Sequence, residues 1–241
     1  MIRFAWGNMN LYDTQISDYL QILQPAQPLP EETSVRPKAT KSDIIMRADM
    51  AYELGGGTKY AVSGLCITES EELVPRDQAF LIGLNLTEIT EGCDFARIAF
   101  VRVVTNSLGE EDQMYKNIRA IEYARYHLRL AGYMLRVSSV NSRESVRVSK
   151  EAISQGLGFE HVANQYFAQY HKNKIVKAVH LYFVTDPAFD YKALKVLCEK
   201  NEVITRTIDH SLKGLSMDCS TCADKPICDK IEGIKDLHFL K

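Results

Sequence analysis

Three cysteines within ten residues, Cys219, Cys222 and Cys228, have the type and spacing to hold a metal. Two thiolates separated by two residues can grip one metal or one corner of a cluster, and a third, five residues further on, closes the loop. The surrounding run, Asp218-Cys-Ser-Thr-Cys-Ala-Asp-Lys-Pro-Ile-Cys-Asp229, keeps the loop wet through Asp218, Asp224 and Asp229. Lys225-Pro226 stiffens the turn before the last thiolate. This spacing favours an iron-sulfur cluster. Zinc is the alternative and asks for a fourth protein ligand, His210 or His238; chance clustering of inert thiols is the remaining one. For a cluster, Cys198 is the nearest further cysteine, with Cys93 and Cys66 distant in sequence. One iron would then stay open, or take a non-cysteine or partner ligand.

The second candidate is a basic stretch. From Met114 to Lys150 the chain carries Lys116, Arg119, Arg125, Arg129, Arg136, Arg143, Arg147 and Lys150 against only Glu122 and Glu144, a local net charge of +6. Arg125, Arg129, Arg143, Arg147 and Lys150 are the candidate cofactor-binding residues, suited to the phosphates of an anionic cofactor or to an acidic protein partner. The alternative is a solvated face whose arginine stems cover the edge of the core. As exposed residues, Arg143 and Arg147 together are expected to contribute no more than about 1 kcal/mol to folding.

Other constellations are weaker. Gly55-Gly-Gly57 lacks the Gly-Lys-Ser/Thr ending of a phosphate loop and reads as a turn between strands. His161, among Phe159 and Tyr166, reads as a hydrogen-bonded core residue rather than a ligand. No Ser-His-Asp set or carboxylate pair follows from spacing.

The bulk numbers narrow the setting. A chain of 241 residues with 46% apolar side chains can build a core without staples. Its 31 acidic and 29 basic residues, net −2, give no electrostatic reason to expect nucleic acid or a membrane surface. Met1-Ile-Arg-Phe-Ala-Trp-Gly-Asn8 turns polar within eight positions, and no stretch reaches the roughly 18 apolar residues of a spanning helix. The expectation is a cytoplasmic protein, in whose reducing surroundings six cysteines favour ligation over disulfides.

These side chains need elements to position them. Residues 11 to 23 fit a short helix, and residues 24 to 37 carry four of the seven prolines, as a linker or extended arm does. Residues 44–54, 60–67, 79–86 and 95–105 read as strands of one sheet. Ser107-Leu-Gly-Glu110 looks like a capping box, and Met114, Ile118, Ile121, Leu128, Ala131 and Leu135 predict one long amphipathic helix over 110–134. A strand at 145–148, a helix at 161–172, a strand at 176–185 and a helix at 194–200 complete the pattern. The fold class is therefore α/β, a mixed α+β arrangement in which an N-terminal β-rich block precedes a partly parallel α/β layer and a C-terminal cysteine loop. The expected divisions are an N-terminal helix and Pro-rich arm over 1–40, an α/β domain over 41–210 and a metal-binding tail over 211–241.

Several segments, in order, resemble the β subunit of carbon monoxide dehydrogenase/acetyl-CoA synthase, the acetyl-CoA synthase subunit. Tyr52-Glu-Leu-Gly-Gly56 resembles that family's Val-Glu-Phe-Gly-Gly, and Ile118 to Tyr133 stands where the family has its Ile-His-Tyr helix. Val146-Arg-Val-Ser-Lys-Glu-Ala152, the most specific piece, is similar to its Val-Arg-Ile-Ser-Lys-Glu-Ala; Gly158-Phe-Glu-His161 and Tyr182-Phe-Val-Thr-Asp186 follow at comparable spacing. The likeness spans residues 45 to 230.

By that resemblance, Cys219 and Cys222 match the family's Cys-x2-Cys at the 4Fe-4S half of the nickel-containing A-cluster. Cys228 matches the third cysteine at a shorter spacing, and the fourth has no counterpart. The chain reaches Lys241 without the Cys-Gly-Cys segment that holds the distal nickel, so complete acetyl-CoA synthesis is not expected of it alone. Ser145 replaces the family's aromatic residue in a region associated with coenzyme A, which leaves Arg147 and Lys150 there. The resemblance implies an iron-sulfur accessory or electron-transfer component of one-carbon and acetyl-CoA metabolism in anaerobes, with nickel and coenzyme A as open cofactors. An acidic ferredoxin or other subunits of such a system would be its partners. The alternatives are a metalloenzyme acting on an acyl or one-carbon substrate through an open cluster iron, and a zinc-stapled interaction module.

Overall fold

The structure, a computed structural model, describes residues 12–31, 44–107, 111–137 and 142–212. In chain order its first elements are α1 (Asp13–Ile22), β1 (Gln27–Pro28), β2 (Ala51–Leu54), β3 (Ala61–Thr68), β4 (Gln78–Ile82) and β5 (Phe95–Val103). They are followed by α2 (Glu111–Tyr123), β6 (Tyr133–Val137), β7 (Glu144–Ser149), α3 (Lys150–Ser154), α4 (Phe159–Tyr170), β8 (Val176–Val184) and α5 (Tyr191–Leu212).

The fold is mixed α/β, with two sheets among the described residues. The larger runs β1-β4-β8-β5-β3; β3 pairs parallel with β5 and β4 parallel with β8, while β5 and β8 are antiparallel. Its central strands read Phe-Ala-Arg-Ile-Ala-Phe-Val-Arg-Val and Val-Lys-Ala-Val-His-Leu-Tyr-Phe-Val, near-continuous apolar runs because both faces are covered. Alternate side chains serve the two faces. Phe95 and Phe183 stack on Phe159 of α4, at centroid distances of 6.2 and 4.5 Å, while Phe100 meets Tyr19 of α1 at 5.7 Å. The second helix on the α1 side is α5, which packs on β3.

The smaller sheet, β2-β7-β6, is antiparallel throughout. Its presence corrects the expectation that the first four strands share one sheet: β2 pairs with β7, about a hundred residues downstream, as Glu53↔Arg147 shows. The expected strand from Ile44 is also shorter, since Ala48–Met50 is a 3-10 turn and only Ala51–Leu54 pairs. The glycine run 55–57 is a turn between β2 and β3, as expected. Within the Pro-rich arm, Gln27–Pro28 pairs antiparallel with Leu81 and Phe80 of β4. Proline fits there because an edge strand can spare a donor.

The long helix over 110–134 is overturned. The helix ends at Tyr123, Ala124–His127 is a 3-10 turn, and the chain then enters β6. Met114, Ile118 and Ile121 are buried helix positions, whereas Leu128 is buried from extended backbone after the turn and Leu135 belongs to a strand. Helical spacing persisted across the break because the residues on both sides face one core. What breaks the helix is tertiary: Arg125 turns inward to a buried carboxylate, and residues 133–137 satisfy their backbone groups on β7.

No described helix is long and apolar enough to cross a membrane.

Candidate functional site

The interface between the two sheets is held by a carboxylate at the start of β7. Glu144 is fully buried, and Arg97 of β5 donates to it twice, Nε to Oε1 at 2.7 Å and Nη2 to Oε2 at 2.9 Å. Tyr166 of α4 donates to Oε1 at 3.2 Å. Ser63 of β3 accepts from Arg97 Nη2 at 2.7 Å and from Arg125 Nη1 at 2.9 Å, and its hydroxyl lies 3.3 Å from Glu144 Oε2. Arg125 Nη1 also reaches that oxygen at 3.5 Å, while its Nη2 donates to Tyr126 at 3.0 Å. Burial alone would push the Glu144 carboxyl up; the two guanidiniums and these donors outweigh it and hold the carboxyl below its ordinary value. Burial, with the Glu144 charge beside it, pushes the Tyr166 hydroxyl well up, so it stays a donor.

Of the five basic residues singled out in the sequence, Arg125 is thus built into the core. Arg147 lies in a second ion-pair group on the smaller sheet. Its guanidinium pairs with Glu53 through Nε at 3.0 Å and through Nη2, and its Nη1 donates to the carbonyls of Ile45 and Met46 at 2.9 and 3.1 Å. Arg136 joins the same carboxylate at 3.2 Å. The Arg147 bond, with both arginine charges, keeps the Glu53 carboxyl lowered. The exposed residues are Arg129, which donates to the Leu128 carbonyl at 3.0 Å, Arg143, and Lys150, which sits 5.0 Å over the Tyr52 ring. The five thus divide between a buried arginine, an ion-paired one and three exposed ones. Arg143 precedes β7 and Arg147 is its fourth residue, so roughly 13 Å of strand separates their backbones.

This changes the expected cost of removing the two arginines. Arg143→Gln should stay within about 0.5 kcal/mol of the parent. Arg147→Gln should lose about 2 kcal/mol, because it breaks charge-assisted bonds at a side chain that is only 14% exposed. Urea unfolding of the single variants checks this; equal effects would show that the bonds to Glu53, Ile45 and Met46 carry nothing.

Cys219, Cys222, Cys228 and His238 lie outside the described residues, as does the side chain of His210. The other three cysteines are described. Cys66 and Cys198 are buried, Cys93 half-buried. Burial raises all three thiols, Cys93 to about 11 and Cys198 to about 12, while Cys198 accepts from Tyr19 and Cys66 from Asn201 at 3.3 and 3.0 Å. Cys198 is thus set in the core, 1% exposed and hydrogen-bonded to Tyr19. Among the described residues no group of three or more His, Cys, Asp or Glu is placed to hold a metal. His161 is half-buried rather than a core residue, and its Nδ1 accepts from the Gly158 amide at 3.1 Å.

The residues that reading the chain missed are Arg97, Glu144 and Glu53. Arg97 had left a signal: a guanidinium inside Phe-Ala-Arg-Ile-Ala-Phe-Val must find a buried partner.

No curated protein matches the chain. The family model of the CO dehydrogenase/acetyl-CoA synthase complex beta subunit matches residues 35–189, the stretch that holds both sheets apart from the short edge strand β1. Ser63, Arg97, Arg125, Glu144 and Tyr166 all fall inside it. With well over half of its residues matched, from before β2 to beyond β8, the chain belongs to the CO dehydrogenase/acetyl-CoA synthase complex beta subunit family.

Proposed function

We propose that this member of the family is an iron-sulfur protein, with a 4Fe-4S cluster on Cys219, Cys222 and Cys228, acting as an accessory or electron-transfer component of a CO dehydrogenase/acetyl-CoA synthase-like system. The observation that carries this reading is the contrast between two groups of cysteines. Cys66, Cys93 and Cys198 have raised thiols in or beside the core, whereas the other three stand in a polar run at ligand spacing, the first of them seven positions after the end of α5. A cluster held by thiolates supplies one-electron transfer. Cys219, Cys222 and Cys228 would bind it, and with Cys198 held in the core its remaining ligand would be solvent, a non-cysteine group or a partner. Arg129, Arg143 and Lys150 are exposed, where the phosphates of coenzyme A or acidic residues of a ferredoxin could meet them.

Anaerobically purified protein is expected to be brown, with broad absorption at roughly 400 nm from thiolate-to-iron charge transfer. Cys222→Ser should bleach it, while Cys198→Ser should leave the spectrum in place. A colourless protein carrying one zinc per chain would overturn the cluster and favour a zinc-stapled interaction module.

A further inference from the structure

A cavity of about 40 Å³ lies against β3, β5, α2 and α5. Its polar lining includes Arg97, Arg125, Glu122, Asn201 and Glu202. Two buried atoms on its wall have unused hydrogen-bonding capacity. Arg97 is 1% exposed; its Nε and Nη2 are engaged with Glu144 and Ser63 and the guanidinium lies beside the Tyr170 hydroxyl, but Nη1 has no partner at ordinary hydrogen-bond geometry among the described residues. Asn201 on α5 is 5% exposed, and its Nδ2 donates to the Leu65 carbonyl at 3.1 Å, with the Tyr19 hydroxyl and the Cys66 sulfur, each at 3.0 Å, sharing its other hydrogen. A backbone carbonyl only accepts, so that bond fixes which way the amide faces. It leaves Oδ1 as an acceptor without a donor among the described residues. One unused donor and one unused acceptor, from β5 and α5, therefore line the same small space.

The charges around it decide what kind of guest it suits. Arg97 and Arg125 share Glu144, Arg119 pairs with Glu122, and Glu202 accepts from the Ser142 amide at 2.6 Å. In the lining itself two guanidiniums, Arg97 and Arg125, face two carboxylates, Glu122 and Glu202, so nothing there calls for a net anion or cation. The volume admits no more than about three water-sized molecules. We propose that the cavity is a built site for ordered water, one molecule or a short hydrogen-bonded chain, that accepts from Arg97 Nη1 and donates to Asn201 Oδ1. The bound water joins the Arg97–Glu144 network, which lies inside the family-matched stretch, to the Asn201–Tyr19–Cys198 cluster on α5 and α1, which lies outside it. The helix that leads towards the cysteine run is thereby tied into the buried network of the family body.

The test is a crystal structure of the full chain at a resolution that shows water, with a parallel bromide soak. Ordered oxygens about 3 Å from Arg97 Nη1 and from Asn201 Oδ1, linked directly or through one further water, are expected, with no bromide signal. A bromide peak would make the site an anion site. An undecorated cavity, or Arg97 Nη1 bonded directly to the Tyr170 hydroxyl, would remove the site altogether. In solution, a long-lived magnetisation transfer from water to the Thr205 methyl is expected in the parent and is expected to be lost in Asn201→Leu; its persistence in a folded Asn201→Leu would overturn the assignment. If that variant does not fold, the parent crystal decides.

Discussion

Glu144→Ala is expected to lose about 3–5 kcal/mol of unfolding free energy, enough to leave much of the chain unfolded at 25 °C. The cost is that of the partners left behind rather than of the lost contact. Arg97 is 1% exposed and Arg125 3%, so removing the carboxylate takes the shared counter-charge from two guanidiniums in the core. Glu144→Gln keeps the shape and should cost less, because an amide oxygen still accepts from Arg97. Urea unfolding monitored by circular dichroism checks the order parent, Gln, Ala; a loss below about 1 kcal/mol for Ala would show that the two sheets do not depend on this carboxylate. The same group fixes part of the acid response. Its folded carboxyl lies below the ordinary value of 4.5, so its stabilisation is present above that pH and is lost as pH falls through the folded value. His180 acts over a higher window. Burial lowers its imidazole from 6.5 to about 4, so the unfolded chain takes up its proton first and stability falls as pH drops between those values. Glu144→Gln should therefore flatten the lower limb of the pH profile and spare the upper one.

The second large effect concerns a backbone crossing. Gly83 follows β4 with φ at +103°, and a methyl group there would stand 2.4 Å from the Asp186 nitrogen and 2.8 Å from its Cα. These are main-chain atoms anchored by Thr185 and Asp186 amides donating to the Ile82 carbonyl at 2.8 and 3.2 Å, so they have little room to yield. Strain and clash together predict a loss of about 3 kcal/mol or more for Gly83→Ala. Gly57 is the control, with φ at +61° and nothing within 4 Å of the added carbon, where Gly57→Ala should cost about 1 kcal/mol. Thermal unfolding of the pair separates conformational strain from steric exclusion. Equal losses would mean that the β4 and β8 ends can move apart.

Much of this molecule was legible in the chain because the relevant physics is local. Strands β3, β5 and β8 stood out as apolar β-branched and aromatic runs, and α4 as a helical pattern, since each carries its own periodicity. The family likeness rested on short words such as Val146 to Ala152, read without knowing what they touch. The stretch from Met114 to Leu135 misled for the same reason: apolar spacing reports which residues face the core and is silent on whether the backbone between them stays helical.

What the sequence determined by itself is the α/β class, most of the elements, the family, and a cysteine run with ligand spacing. Only the tertiary structure decided how the charges divide. Arg125 and Arg129 are the same residue type, four positions apart, yet one is buried against Glu144 and the other stands in solvent. Arg147 carries the same charge as Arg143 but is taken up by Glu53, ninety-four residues away in the chain. A guanidinium's role depends on whether a carboxylate, a hydroxyl or water meets it. Those partners come from strands and turns that are distant in sequence and become neighbours only when β7 is laid against β2 and β3.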